Sequence, residues 1–266
     1  MTIQKVSAGR GAAWVNESIG LLKSGGKAIW IPALLIGILS ALPKVGVLIF
    51  VFTVIFYGSM VLSINDSSRE PSILKGFQNG NFVRILPIFA VWALFFGLVI
   101  IAFWPLIYAI YLMELAGQTT MDPVLAEKLM ESVSIHFLWV IPTAIFLSWL
   151  NQFAIPLATI SKLNGFQAMQ LAFKAMLTNL SALFINLLCM TLVALIFGLV
   201  GMILLIIIST IFATNQTMLE LALIPVFGLL TAVNMAFLSA NMFYAYRDVF
   251  DEDATAPVAA NSEILL

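Results

Sequence analysis

Residues 180–212 read LSALFINLLCMTLVALIFGLVGMILLIIISTIF, a run of 33 positions without one acid or base. About 20 apolar residues cross roughly 30 Å of hydrocarbon, and such a segment must be helical, because a helix pairs its own backbone groups where no water can. The run predicts a transmembrane helix. Apolar runs at 28–42, 45–64, 82–113, 135–160 and 218–246 repeat the pattern on either side of it. The chain is 62% hydrophobic and 9% charged, with a mean hydropathy of +1.08, whereas soluble domains lie near about 45–50% apolar and 25% charged. The expected fold is all-α, a polytopic bundle of about six transmembrane helices over 28–247. A cytoplasmic N-terminus with an interfacial helix (1–27) precedes it, and an acidic, disordered cytoplasmic tail (248–266) follows.

The first run is the shortest. Sixteen residues separate Lys27 from Lys44, about 24 Å of helix at 1.5 Å per residue, so a re-entrant segment is the alternative unless both lysines snorkel. Pro43 and Gly46 supply the turn into the second run.

Charge sets the orientation. With six spans, Lys5, Arg10, Lys23, Lys27, Arg69, Lys75, Arg84, Lys162, Lys174 and Arg247 fall on one side, and only Lys44 and Lys128 on the other. The excess of Lys and Arg marks the cytoplasmic side, which places both termini there. No signal peptide is expected, since 1–27 is polar and lacks an apolar h-region. The net charge of −1 hides this asymmetry. The lone cysteine, Cys189, lies inside the fifth run and excludes an intramolecular disulfide.

The segments before odd-numbered spans resemble one another. Trp14, Ser18, Ile19 and Leu22 make an apolar face in the first. Ser72-Ile-Leu-Lys-Gly-Phe-Gln78 precedes the third span and Ser161-Lys-Leu-Asn-Gly-Phe-Gln167 the fifth, five of seven residues matching, and the latter continues through Met169, Phe173 and Met176. Three repeats of interfacial helix plus helical hairpin are expected. Helices of this kind lie in the headgroup plane and attract anionic lipid at about 1 kcal/mol per Lys or Arg. The candidate headgroup residues are therefore Lys23, Lys27, Arg69, Lys75, Arg84, Lys162 and Lys174. In the outer loop 114–134, Asp122 before Pro123 reads as an N-cap with Pro at the first helical position. Leu125, Leu129 and Val133 then share a face of a helix expected to cap the bundle.

None of the 13 acids or 12 bases falls mid-span, which disfavours proton-coupled pumping, a process that needs titratable groups at depth. One His (His136, at the outer start of the fourth span) and one Cys make no transition-metal cluster. G-x-S-x-G, H-E-x-x-H and P-loop motifs are missing. No enzyme activity, cofactor or metal is expected. What remains at depth is uncharged polarity: Ser148, Asn151, Gln152 and Thr159 on the fourth span, Asn186 on the fifth, and Thr231, Asn234 and Asn241 on the sixth. Amides facing lipid would go unsatisfied, so these faces are expected to point into the bundle, as interhelical glue or as a ligand groove.

Val6-Ser-Ala-Gly-Arg-Gly11, Trp14, Leu21-Leu-Lys23, Trp30, Tyr57-Gly58 and Gly76-Phe77 resemble an uncharacterised proteobacterial family of multi-pass inner-membrane proteins. The repeated helix and hairpin is similar, more loosely, to the membrane domain attached to some glycerophosphodiester phosphodiesterases. The resemblance implies a six-helix protein of the bacterial cytoplasmic membrane and transfers no catalytic residue. The function expected is non-enzymatic, through contacts with anionic phospholipid or a membrane-protein partner and without nucleic acid. The alternative is a permease or exporter of a small neutral or amphiphilic solute. The oligomeric state is left open.

Overall fold

The computed structural model describes residues 1–42, 45, 52–66, 72–115, 117 and 122–250, and all regular structure among them is helical. In chain order the helices are α1 (Arg10–Ser24), α2 (Gly26–Ala41), α3 (Thr53–Asn65), a 3-10 turn (Lys75–Phe77), α4 (Asn81–Leu115), α5 (Pro123–Thr159), α6 (Gly165–Thr178), α7 (Leu180–Ile211) and α8 (Gln216–Phe250). Four of these, α4, α5, α7 and α8, are long and apolar enough to cross a membrane. A fifth span results if α1 and α2, which meet at 94°, form one broken crossing.

Among the described residues, four or five of the six expected spans are found. The 16 residues of α2 make about 24 Å of helix. Its N-terminus follows a sharp bend at Gly26, whose φ of +56° suits glycine. The described part of the second expected span is α3, only 13 residues long. Pro43, Lys44 and Gly46, the expected turn between them, lie outside the described residues, as do 251–266 of the tail.

The outer loop reads differently as well. Asp122 is the N-cap, its Oδ1 accepting from the Val124 and Leu125 amides at 2.8 and 3.2 Å, with Pro123 behind it. The helix it starts does not stop to lie over the bundle. It continues as the 37 residues of α5, with Pro142 and Pro156 inside it. Val133 is buried but Leu125 is exposed, so the start of α5 stands clear of the bundle. Asp122→Ala removes the cap, worth about 1 kcal/mol; amide exchange at 124–127 is expected to rise about five-fold, with global unfolding unchanged.

Three helices make the centre: α3, α5 and α8 touch one another, while α2 lies along α8 and α4 along α5. The α2–α8 crossing is close because small residues line it. A Cβ on Gly37 would lie 2.1 Å from the Gly228 carbonyl oxygen, and Ala33, Ala232 and Ala236 are fully buried beside it. The short elements pack on the helix groups that precede them in a cycle: α6 on α4 and α5, the 3-10 turn on α3, and α1 on α7 and α8.

A glycine marks each of these short-element contacts. A Cβ would lie 2.0 Å from the Ala182 oxygen at Gly11, 2.5 Å from the Ile55 oxygen at Gly76 and 2.3 Å from the Arg84 oxygen at Gly165. The amphipathic helix expected before the third span is only the 3-10 turn. On α1 the buried face is Gly11, Trp14, Val15 and Ser18, pressed on protein. On α6 it is Ala168, Ala172, Ala175 and Met176, whereas Phe173 of the expected face is exposed with Phe166 and Leu177. Alanines turn inward there because they let two backbones approach closely.

Candidate functional site

The C-terminal ends of α3, α5 and α8 gather at one end of the bundle. Asn65, Ile160, Tyr246 and Phe250 line one recess there, and the Ser161 and Tyr246 hydroxyls are 2.8 Å apart. Helix C-termini carry partial negative charge and favour cations. Beside them lies a pocket of about 490 Å³ lined by Asn65, Asp66, Lys75, Arg84, Thr159 and Lys162, with Gln78, Asn79 and Asn81 contributing amides. Three of the seven candidate headgroup residues, Lys75, Arg84 and Lys162, thus meet from three separate segments.

The basic groups are held unequally. Lys75 is half-buried and its Nζ donates to Asp66 Oδ2 at 2.6 Å. Arg84 leans on the 3-10 turn's exit, its Nη1 donating to the Asn79 carbonyl at 3.2 Å and to Asn81 Oδ1 at 3.1 Å. Lys162 is exposed. Asn79 and Lys162 have φ of 54° and 55°, and they are the only non-glycine residues among those described with positive φ. The left-handed region is ordinary for Asn and uncommon for Lys, and backbone strain of this kind gathers at ligand sites. With Asp66 as the one acid, the pocket wall keeps an excess of positive charge.

Lys23 and Lys174 are exposed elsewhere and do not join this pocket. Arg69 and the side chain of Lys27 lie outside the described residues. Sequence reading missed Asp66 and Asn79 as pocket residues; the Asn79-Gly80 dipeptide, a turn signal, could have pointed to the loop.

A second polar cluster lies deep in the bundle. Gln152 Nε2 donates to Asn241 Oδ1 at 3.0 Å, Asn186 Nδ2 donates to the same oxygen at 3.1 Å, and Asn241 Nδ2 donates to Asn186 Oδ1 at 3.0 Å. A longer contact of 3.4 Å joins Asn186 Nδ2 to Gln152 Oε1. The three amides come from α5, α7 and α8 and are buried. Asn151 and Thr159 are buried on α5 too, the latter with its hydroxyl on the Ile155 carbonyl.

Two expected interior residues are not inside. Ser148 and Asn234 are exposed, and Thr231 is half-buried. Asn234 shares a helix face with Asn241, seven residues on, but α7 has parted from α8 at that level and leaves an open groove there.

A third cluster ties the N-terminal segment to the C-terminal end of α8. Arg10 pairs with both Asp248 and Glu17, and Trp14 Nε1 donates to Asp248 Oδ2 at 2.6 Å. Burial pushes the Glu17 carboxyl above its ordinary range, against the pull of Arg10. The Gln4 amide donates to the Val249 carbonyl at 2.9 Å, and Val6 N–H donates to Asn179 Oδ1 at 2.8 Å. His136 meets an indole: its Nδ1 accepts from Trp139 Nε1 at 3.2 Å.

Long apolar helices, with only 6 to 28% of their most apolar stretches buried within the chain, are compatible with a multi-pass integral membrane protein. Their bare faces are wide: Leu192, Ile196, Leu199, Ile203 and Ile206 of α7 are all exposed. No family model, curated protein or solved structure matches the chain.

Proposed function

We propose that this is a non-enzymatic protein of a bacterial cytoplasmic membrane that acts through contacts with anionic phospholipid, both termini being cytoplasmic. The observation that carries the reading is the convergence of Lys75, Arg84 and Lys162 on one polar pocket at the end of the bundle where three helix C-termini meet. By the distribution of basic residues this is the cytoplasmic end, the level of lipid headgroups. A phosphate entering the pocket finds Arg84 and Lys162, with Lys75 already paired to Asp66. The exposed Phe166, Phe173 and Leu177 of α6 supply what an interfacial helix sinks into the acyl boundary. Three units, each a short element followed by a pair of helices, are the architecture this reading adopts.

Gln152, Asn186 and Asn241 bond to one another, which supports a structural role for them over a permease path along that face.

The test is lipid-dependent stability. Phosphatidylglycerol is expected to raise the unfolding temperature of the detergent-solubilised wild type more than phosphatidylcholine does. In K75Q/R84Q/K162Q the difference should disappear. At about 1 kcal/mol for each of the two unpaired cations, affinity should fall about thirty-fold. Equal responses of variant and wild type to phosphatidylglycerol would sink the proposal.

A further inference from the structure

Asn234 poses a problem that the chain does not solve alone. It lies on α8, fourteen residues from Glu220 and thirteen from Arg247, the charged residues that flank it on that helix. At 1.5 Å per residue it stands about 20 Å from either, close to the middle of a bilayer. Its side chain is exposed and makes no hydrogen bond to any described residue. It opens into the groove of about 430 Å³ between α7 and α8, whose other walls are almost wholly apolar, among them Phe197, Leu230 and Leu238. Thr191, the other polar residue there, already donates its hydroxyl to the Leu187 carbonyl at 2.8 Å.

On the membrane reading above, no water reaches this depth, and acyl chains carry neither donor nor acceptor. An amide carries both and is complementary to itself. A second copy inserted the same way has its own Asn234 at the same depth, so a two-fold axis along the membrane normal brings amide to amide in register. Across the groove, Ala194 and Gly198 offer little bulk, and a Cβ on Gly198 would meet nothing within 4 Å. A partner helix can therefore approach closely. We infer that the α7–α8 groove is a homodimer interface in which the Asn234 side chains of two copies pair at mid-membrane.

Single-molecule photobleaching of labelled protein in liposomes, over a dilution series, reads the equilibrium directly. The wild type is expected to dimerise. N234L should raise the dissociation constant about ten-fold, as loss of a buried amide pair implies. N234Q, which keeps the amide, should stay near wild type. Disulfide formation by N234C in a C189S background, in native membranes, gives an independent reading and is expected to yield dimer. A monomeric wild type at every density, N234L dimerising as wild type does, or folded N234C that fails to cross-link would each overturn the inference. So would native mass spectrometry showing a monomer whose groove holds a polar small molecule that N234L loses. The lipid proposal stands or falls separately, because its readout involves neither α7 nor Asn234.

Discussion

Gly11→Ala is expected to destabilise the folded protein by about 3 kcal/mol or more, at the upper end of what overpacking costs, while Gly20→Ala, nine positions along the same helix, is not. The added methyl at Gly11 would lie 2.0 Å from the Ala182 carbonyl oxygen and 2.7 Å from the Asn186 amide nitrogen. Both are backbone atoms inside α7, and neither can rotate away. α1 would have to lift off α7, which pulls on Trp14, fully buried and bonded to Asp248. At Gly20 a methyl meets nothing within 4 Å, and exchanging Gly for Ala in an exposed helix is neutral to stabilising by up to about 1 kcal/mol. Thermal unfolding of the two variants in one detergent separates the cases. Equal unfolding temperatures would show that α1 does not pack on α7 as described.

Asn241→Ala carries the second large effect, and its size depends on what is left behind. The substitution removes three of the four hydrogen bonds in the amide cluster. Interhelical bonds of this kind average about 0.6 kcal/mol in membranes. The stranded Asn186 and Gln152 groups add the cost of unsatisfied buried polar atoms, about 1–3 kcal/mol. A total near 3 kcal/mol is expected for the single variant. The triple variant Q152M/N186L/N241L strands nothing and should be more stable than N241A, although it alters three residues instead of one. Stability that instead falls additively from single to triple would show that the three amides do not act as one unit.

The long helices were legible because charge-free runs longer than a bilayer leave the backbone no other arrangement, and Asp122-Pro123 announced its cap by side-chain chemistry alone. The first run was legible as the short one from the 16 residues between Lys27 and Lys44, with a re-entrant segment as the alternative, and α2 has 16 residues. Of the second run, read as a full span, the described helix has 13 residues, and hydropathy does not report where a helix begins or ends. Continuity of α5 through the outer loop was missed for a related reason. Glu127, Lys128 and Glu131 mark where polarity begins, not where a helix ends.

Side-chain placement was partly legible. Helical periodicity put Asn234 and Asn241 on one face, and that is correct as geometry. Whether a face is covered depends on the neighbouring helix, and α7 covers Asn241 but not Asn234. From their distribution the basic residues were expected as a collar. The meeting of Lys75, Arg84 and Lys162 in one pocket was not legible, since it depends on the packing of the 3-10 turn on α3, of α4 on α5 and of α3 on α5, which has no signature along the chain.

The most direct measurement is native mass spectrometry of the gently solubilised protein beside its K75Q/R84Q/K162Q variant. Wild type is expected to retain anionic phospholipid that survives detergent exchange, and the variant to lose it while keeping its fold. A wild type that carries no lipid, or only zwitterionic lipid, or a variant that retains anionic lipid as strongly, would contradict the assignment of the basic pocket to phospholipid headgroups.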